Sequence, residues 1–391
     1  MLKPNVYDIF LLSAAFNAAQ LLTTFLFQRR LRRQLAEPPG SYAPSVTVIV
    51  ACKGDPPDFA GNISSLLDQD YPGARRYLLA LPSREDPAHR RLETLLSGRG
   101  RRRVRLCASE SLPSCSSGKA LDLLFALRQA PPETELLLFA DADIRVHRAW
   151  IAQMVSPLQD ERVGASTTAL LAVPRQGGFW SFLRFVWLGV SVSNWSFMGA
   201  VCGQSLAMRR REFYALQVPE LWEHALLEDL ALSARLRRWS KEVRFVARAM
   251  PVTVGGCDAG QYFDVSNRWI KCCRIFDAGV WLMGLAYLAV KIGVTLWTVL
   301  HRDWFLLAFF WSLDMLNVFL LFESYRRLLP DRFRDLPLGG GTLSTLAAIA
   351  SPLLAASYLT NFLTSLMGNS VVWGRYVYRV GRGKELAVSR R

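Results

Sequence analysis

The chain is poor in the residues that staple small or metal-bound folds. Its seven cysteines (Cys52, Cys107, Cys115, Cys202, Cys257, Cys272 and Cys273) include no CxxC pair and form no even set. That excludes a disulfide framework and a structural zinc, and it fits reduced thiols on a cytosolic face. Cys272-Cys273, beside an apolar segment, is the one candidate for acylation. The four histidines, His89, His147, His224 and His301, lack metal-ligand spacing. Acidic residues are the scarcer charge, 32 against 47 Lys plus Arg, which leaves +15. No helix-turn-helix, zinc-finger or RNA-binding signature accompanies that charge, so nucleic acid is not the expected partner. The basic residues cluster beside apolar segments instead, which points to a membrane surface.

Apolar residues are abundant, at 51% of the chain, with 12 Trp and 22 Phe. Val6 to Phe27 is almost uncharged and meets the ~20 residues a bilayer crossing needs. Asp8 lies near its start, and Asn17 and Gln20 lie within it. It has no small-residue cleavage site and runs into Gln28-Arg29-Arg30-Leu31-Arg32-Arg33, so it reads as a retained signal anchor whose arginines stay cytosolic. Residues 1–28 are therefore an anchor and 29–44 a basic linker, with Glu37-Pro38-Pro39-Gly40-Ser41 as its turn-rich part. Further on, Gly279–Leu300, Trp304–Phe322 and Thr342–Leu366 are candidate spans, within a membrane region of residues 276–370. His301-Arg302-Asp303 separates the first two and a charged Glu323–Asp335 loop follows. Lys291 and Asp314 fall inside spans and are expected to face protein or water. A single crossing by the third span would put the basic tail, residues 371–391, outside. That conflicts with the positive-inside rule, and Ser351-Pro352 suggests a re-entrant segment with a cytosolic tail. Phe179 to Val201, rich in Phe and Trp, reads as an interfacial segment where a lipid acceptor enters, or as a buried core helix.

Residues 45–275 carry strand–helix alternation. Val46–Ala51, Tyr77–Leu81, Val104–Cys107 and the stretch Leu136–Asp143 read as strands. Helices are expected over Asn62–Pro72, broken by the proline, and over His89–Leu96 and Gly118–Gln129. Repeated units of this size imply an α/β fold with a mostly parallel sheet. No Gly-rich phosphate fingerprint follows the first strand, so a nucleotide would be held by other means. Leu136-Leu137-Leu138-Phe139-Ala140-Asp141-Ala142-Asp143 is a fully apolar strand ending in two carboxylates. Two residues apart, they point to one side at the edge where such sheets bind ligands. A divalent cation carrying a diphosphate suits two hard oxygen donors so placed. The alternative is an Asp-rich turn in which Asp143 caps the next helix. Lys119, at a helix start, is unfavourably placed for the helix dipole, which favours an anion nearby. Asp229 could simply stabilise the start of the following helix.

Val46–Asp55, Asp68-Gln69-Asp70-Tyr71-Pro72, Glu85-Asp86-Pro87-Ala88 and Asp141–Val146 together resemble family 2 glycosyltransferases, and most closely their ceramide glucosyltransferase branch, which includes bacterial hopanoid-type enzymes. Gly203-Gln204-Ser205, Met208-Arg209-Arg210, Glu228-Asp229, Arg268-Trp269 and Trp373-Gly374-Arg375-Tyr376 continue the likeness in the same order, from about Ser45 to Val380. The resemblance implies a GT-A catalytic domain, Rossmann-like, with N- and C-terminal membrane helices. It implies transfer of glucose or a similar hexose, with inversion, from a UDP-sugar to a lipid hydroxyl at the cytosolic leaflet of a multi-pass protein. It places Asp55 and Asp86 at the uracil and ribose, and Lys119 near the nucleotide. Gly203 and Gln204 are put in the donor site and Mg²⁺ or Mn²⁺ at Asp141 and Asp143. Asp229 would be the base, and Arg268 with Trp269 would close on diphosphate and acceptor. The branch usually carries a polar residue three positions before Arg268; here it is Val265. Three other readings stand beside this one: a processive polysaccharide synthase, a polyprenyl-phosphate sugar synthase and a non-catalytic membrane scaffold. The Val265 substitution weakens the processive one.

Overall fold

A computed structural model describes residues 5–37, 41–97, 101–175, 177–334, 336 and 341–391. Pro38–Gly40 of the expected linker and Asp335 of the expected loop lie outside them. The chain gathers into two compact units. One holds Met1–Arg33, Ala172–Asn194 and Gly256–Gly368, and the other holds Gln34–Leu171, Trp195–Gly255 and Asn369–Arg391.

The second unit is built on a sheet. In chain order its strands are β1 (Val46–Ala51), β2 (Arg75–Leu81), β3 (Val104–Ala108), β4 (Leu136–Asp141), β5 (Val163–Thr167), β6 (Leu171–Ala172), β7 (Ser205–Arg209), β8 (Glu242–Phe245), β9 (Val252–Thr253), β10 (Ser370–Trp373), β11 (Tyr376–Val380) and β12 (Leu386–Arg390). Seven of them form one sheet in the order β3-β2-β1-β4-β7-β5-β8. β1 runs parallel to β2 and β4, and only β7 runs against its neighbours. Ala51 is level with both Ala80 and Asp141, so the loops after β1, β2 and β4 leave from one edge. The expected α/β class and mostly parallel sheet are present. β1 has the bounds read from the sequence, because a run of Val, Ile or Leu buried on both faces admits little else; β4 starts where expected and stops at Asp141, so Asp143 lies in the turn beyond it.

Helices α2 (Phe59–Leu67), α3 (Pro87–Leu96), α4 (Gly118–Leu127), α5 (Trp150–Val155), α7 (Arg210–Ala215), α8 (Val218–Trp222) and α9 (Glu228–Arg238) belong to this unit. One core joins Leu123 and Leu127 of α4, Leu137 and Phe139 of β4, Phe213 of α7 and Trp222 of α8. Phe139 stacks on Phe213 at 5.5 Å and meets Trp222 edge-on at 5.0 Å. Each such buried side chain contributes about 1.5–3 kcal/mol. The basic tail is folded: β10, β11 and β12 make a separate antiparallel sheet in register from Ser370–Arg379 to Val380–Leu386.

The first unit is helical: α1 (Val6–Ala36, its last turn in the sheet unit), α6 (Phe179–Trp195), α10 (Ala259–Phe276), α11 (Ala278–Leu300), α12 (Trp304–Leu328), α13 (Pro330–Phe333), α14 (Thr342–Ile349) and α15 (Ser351–Ser365). Among the described residues, α1, α11 and α12 are long and apolar enough to cross a membrane. α14 and α15 meet at a 49° bend. Pro352 enters α15 in its first turn, where its missing N–H breaks the hydrogen-bond ladder. The charged loop expected from Glu323 begins later, since α12 runs on to Leu328. Glu323 pairs with Arg326 and Arg327 one turn ahead and accepts from Ser344 at 3.1 Å, so its charge suits a helix here. Lys291 of α11 pairs with Asp314 of α12 at 2.7 Å. Gln20 of α1 donates to Asp314 at 3.2 Å and accepts from Tyr287 at 2.6 Å. Both charges face protein, as their positions required.

Candidate active site

Three segments converge at the edge where β4 ends. α4 starts at Ser117, whose side chain accepts the Ala120 N–H at 3.2 Å. Ser116 just before it donates to the carbonyls of Trp222 and Ala225, at 2.7 and 3.0 Å. Trp222 in turn donates from its indole to the Glu228 carbonyl at 3.0 Å. The start of α4 is thus stitched to the start of α9, and both rest on the Phe139 core.

This stitching brings together residues far apart in sequence. Lys119 Nζ lies 2.6 Å from Asp141 Oδ1 and 2.7 Å from Glu228 Oε1. Burial works against the lysine's charge, but the two carboxylates outweigh it and hold its pKa well above the usual value. The anion that its helix-start position asked for is therefore supplied by the protein itself. Asp141 shows the converse balance: burial pushes its carboxyl up to about 7 even with Lys119 opposing. Glu228 is nearly fully buried, and its Oε2 has no hydrogen-bond partner among the described residues.

Asp229 lies in the first turn of α9, as the simpler reading required, and does more there. Its Oδ2 accepts the Gly203 N–H at 3.0 Å and its Oδ1 the Leu230 N–H at 2.7 Å. Burial, followed by the charge of Glu228, raises its pKa to about 6. Gly203 is close-packed: a Cβ there would stand 2.6 Å from Glu228 Oε1. We therefore expect Gly203→Ala to push Glu228 aside and destabilise the protein by about 1–3 kcal/mol, the usual penalty for overpacking. A thermal melt of the variant beside the parent checks this. Gln204 is half-buried, its Oε1 3.3 Å from Cys202 Sγ.

Asp143 is exposed and follows β4 in a turn, while the next helix, α5, is capped at Ala149. The helix-capping alternative for Asp143 is thereby removed. Among the described residues no three His, Cys, Asp or Glu side chains are grouped to hold a metal. A cation that also takes diphosphate oxygens and water needs only one or two protein carboxylates. Asp141 and Asp143 fit that requirement.

Asp86 sits in the loop after β2, where its Oδ1 accepts both Gly54 N–H at 2.7 Å and Ala88 N–H at 2.9 Å. It caps α3 and fixes the loop after β1, where Gly54 has φ +67°. Asp55 is exposed and pairs with Arg91 at 3.5 Å.

The sequence profile of glycosyl transferase family 21 matches residues 9–386. The chain belongs to glycosyl transferase family 21. This is the ceramide glucosyltransferase-like group that the motif order resembles, and the mostly parallel sheet expected for it is present. None of the curated proteins compared matches the sequence. Among solved structures, the mannosyltransferase PcManGT from Pyrobaculum calidifontis, in complex with GDP-Man and Mn²⁺, is similar at 17% identity and a TM-score of 0.49, over 92% of this chain and 98% of that one. Glucosyl-3-phosphoglycerate synthase from Mycobacterium tuberculosis, in complex with Mn²⁺ and UDP-glucose, is similar at 13% identity and a TM-score of 0.37, over 62% of this chain and 80% of that one.

In this family 21 glycosyltransferase, Arg268 and Trp269 lie on α10 in the helical unit. Arg268 is mostly buried and 3.5 Å from Asp264, and the Trp269 ring is 5.6 Å from Trp187. Val265 is half-buried. Of the two polar residues near it, Asp264 is exposed and paired with Arg268, and Asn267 accepts from Asn361 at 2.8 Å. Glu228 is the residue that sequence reasoning quoted as a motif letter without giving it a role. Only its contact with Lys119 reveals one, and that contact depends on pairing α4 with α9.

Proposed function

We propose that this glycosyltransferase moves a hexose from a UDP-sugar to the hydroxyl of a lipid, with inversion at the anomeric carbon. The observation that carries this reading is the cluster at the end of β4, where Lys119 pairs with Asp141 and with Glu228, the neighbour of Asp229, within a family 21 chain. The acceptor hydroxyl attacks the anomeric carbon as the bond to the diphosphate breaks, and its proton passes to an Asp229 oxygen. Hydrogen bonds from Gly203 and Leu230 aim that carboxylate, and a pKa of about 6 suits a base working near neutrality. Lys119 fixes Asp141 and Glu228 and contributes positive charge as the diphosphate leaves. Mg²⁺ or Mn²⁺ at Asp141 and Asp143 would neutralise more of that charge. Asp55 and Asp86 are assigned to the uracil and ribose, Gly203 and Gln204 to the donor sugar. Arg268 and Trp269 keep the roles the resemblance implies.

The same proposal sets the enzyme in the bilayer as a multi-pass protein with its sheet unit in the cytosol. α1 leads through Arg29–Arg33 into the sheet unit, while α11 and α12 form a hairpin. β10–β12 belong to that same unit, which supports a segment from α14 to α15 that returns to the side it left. Its 49° bend supports a re-entrant segment.

UDP release by the purified enzyme tests the reading, with Mn²⁺ or Mg²⁺ and panels of UDP-sugars and extracted lipids. Lipid-dependent release is expected, and no binding of UDP under any metal condition would overturn it.

A further inference from the structure

We propose that Asp122, held by Ser109, reads the nucleobase of the donor by accepting the imino N–H of uracil. The inference deepens the donor reading just given and rests on it.

Asp141, Ala51, Ala80 and Cys107 lie level across β4, β1, β2 and β3, so the loops after all four strands leave from one edge. The start of α4 is joined to that edge at two points. Lys119, in its first turn, pairs with Asp141 at the end of β4. Asp122 lies three residues on, and so on the same side of the helix. It accepts from the hydroxyl of Ser109, two residues beyond Cys107. Between these points, in the strand order, stand the loops after β1 and β2. The Gly54 N–H ties those two loops together by donating to Asp86 at 2.7 Å. With the diphosphate at the β4 end and the ribose over the tied loops, the base comes to the β3 end, where Asp122 is.

The carboxylates assigned above to this end of the donor are engaged elsewhere. Asp55 is exposed and pairs with Arg91 at 3.5 Å, and Asp86 Oδ1 holds two backbone N–H groups. Asp122 is only 7% exposed, and its Oδ2 has no hydrogen-bond partner among the described residues. Burial lifts its carboxyl to about 6, against the Ser109 hydroxyl and the charge of Lys53, so it is still an acceptor near neutrality. A carboxylate shielded from water discriminates, because a base without a matching donor leaves it unpaired. Uracil carries an imino N–H on its hydrogen-bonding edge, where cytosine carries a bare acceptor nitrogen. Guanine offers an imino N–H of its own, which makes CDP the informative competitor.

Asp122→Asn in the full-length enzyme tests this, because the amide keeps an oxygen for Ser109 and puts a donor in place of the free acceptor. UDP and CDP affinities are measured by titration with Mn²⁺ present, for parent and variant. The parent is expected to favour UDP. In the variant UDP should bind about tenfold more weakly or worse, the effect of losing a hydrogen bond to a charged group, while CDP loses nothing. Ser109→Ala, which frees the carboxylate without removing it, should narrow the preference in the same direction and serves if the first variant fails to fold. An unchanged UDP-to-CDP ratio, whether both affinities fall together or neither falls, is what a purely structural role gives and overturns the inference. So does a parent that binds UDP without preferring it to CDP. A parent that binds no UDP overturns the donor reading itself, and needs no variant to show it.

Discussion

Asp229→Asn should lower sugar transfer by about two to four orders of magnitude, the contribution of a positioned general base, while UDP still binds. The amide keeps an oxygen for the Gly203 N–H, so the loop that holds it should stay in place. The pH dependence is the sharper measurement. Asp229 accepts a proton only when ionised, and burial has raised its pKa to about 6. The rate therefore falls as pH drops through about 6 and levels off above it. Residual activity in Asp229→Asn should have lost this limb. An unchanged profile in Asp229→Asn would show that another group takes the proton.

Lys119→Met should be the most damaging change to stability in the sheet unit. It leaves Asp141 and Glu228 side by side with no cation between them. Removing one partner of a buried ion pair costs about 3–5 kcal/mol. The lower end applies here, since Lys119 and Asp141 keep 17% and 22% of their side-chain surface in contact with solvent. Adding Glu228→Gln to Lys119→Met removes one of the stranded charges and should recover part of the loss, although UDP binding stays impaired. Chemical unfolding of the parent, the single variants and the double variant measures the coupling. Additive effects would mean that Lys119 and Glu228 do not act as a pair.

What could be read from the sequence follows the strength of local constraint. β1 and β4 are apolar runs buried on both faces, and their presence needed no tertiary information, although β4 ends at Asp141 and leaves Asp143 in a turn. β7 is Ser-Leu-Ala-Met-Arg, a string without β-branched residues, made a strand by its place between β4 and β5. β10–β12 were hidden by their charge: residues 371–391 read as a basic tail, while Val371, Tyr378 and Val380 form a buried face visible only once the strands are paired. The carboxylates at the end of β4 were legible as a motif. Their partner was not, because Lys119 and Glu228 are joined by a fold contact and by no spacing along the chain.

The pair formed by Lys291 and Asp314 has a consequence for how the protein is made. Each lies near the middle of its helix, at the depth where a lone charge is least tolerated and costs about 2.5–3.5 kcal/mol to insert. α11 leaves the ribosome first, carrying an ammonium that has no partner until α12 follows. The three-residue link between the helices lets the two be handed to the bilayer together, already neutralised. Under the multi-pass topology proposed above, biogenesis proceeds by a hairpin, and a chain halted between α11 and α12 is the species that quality control would meet.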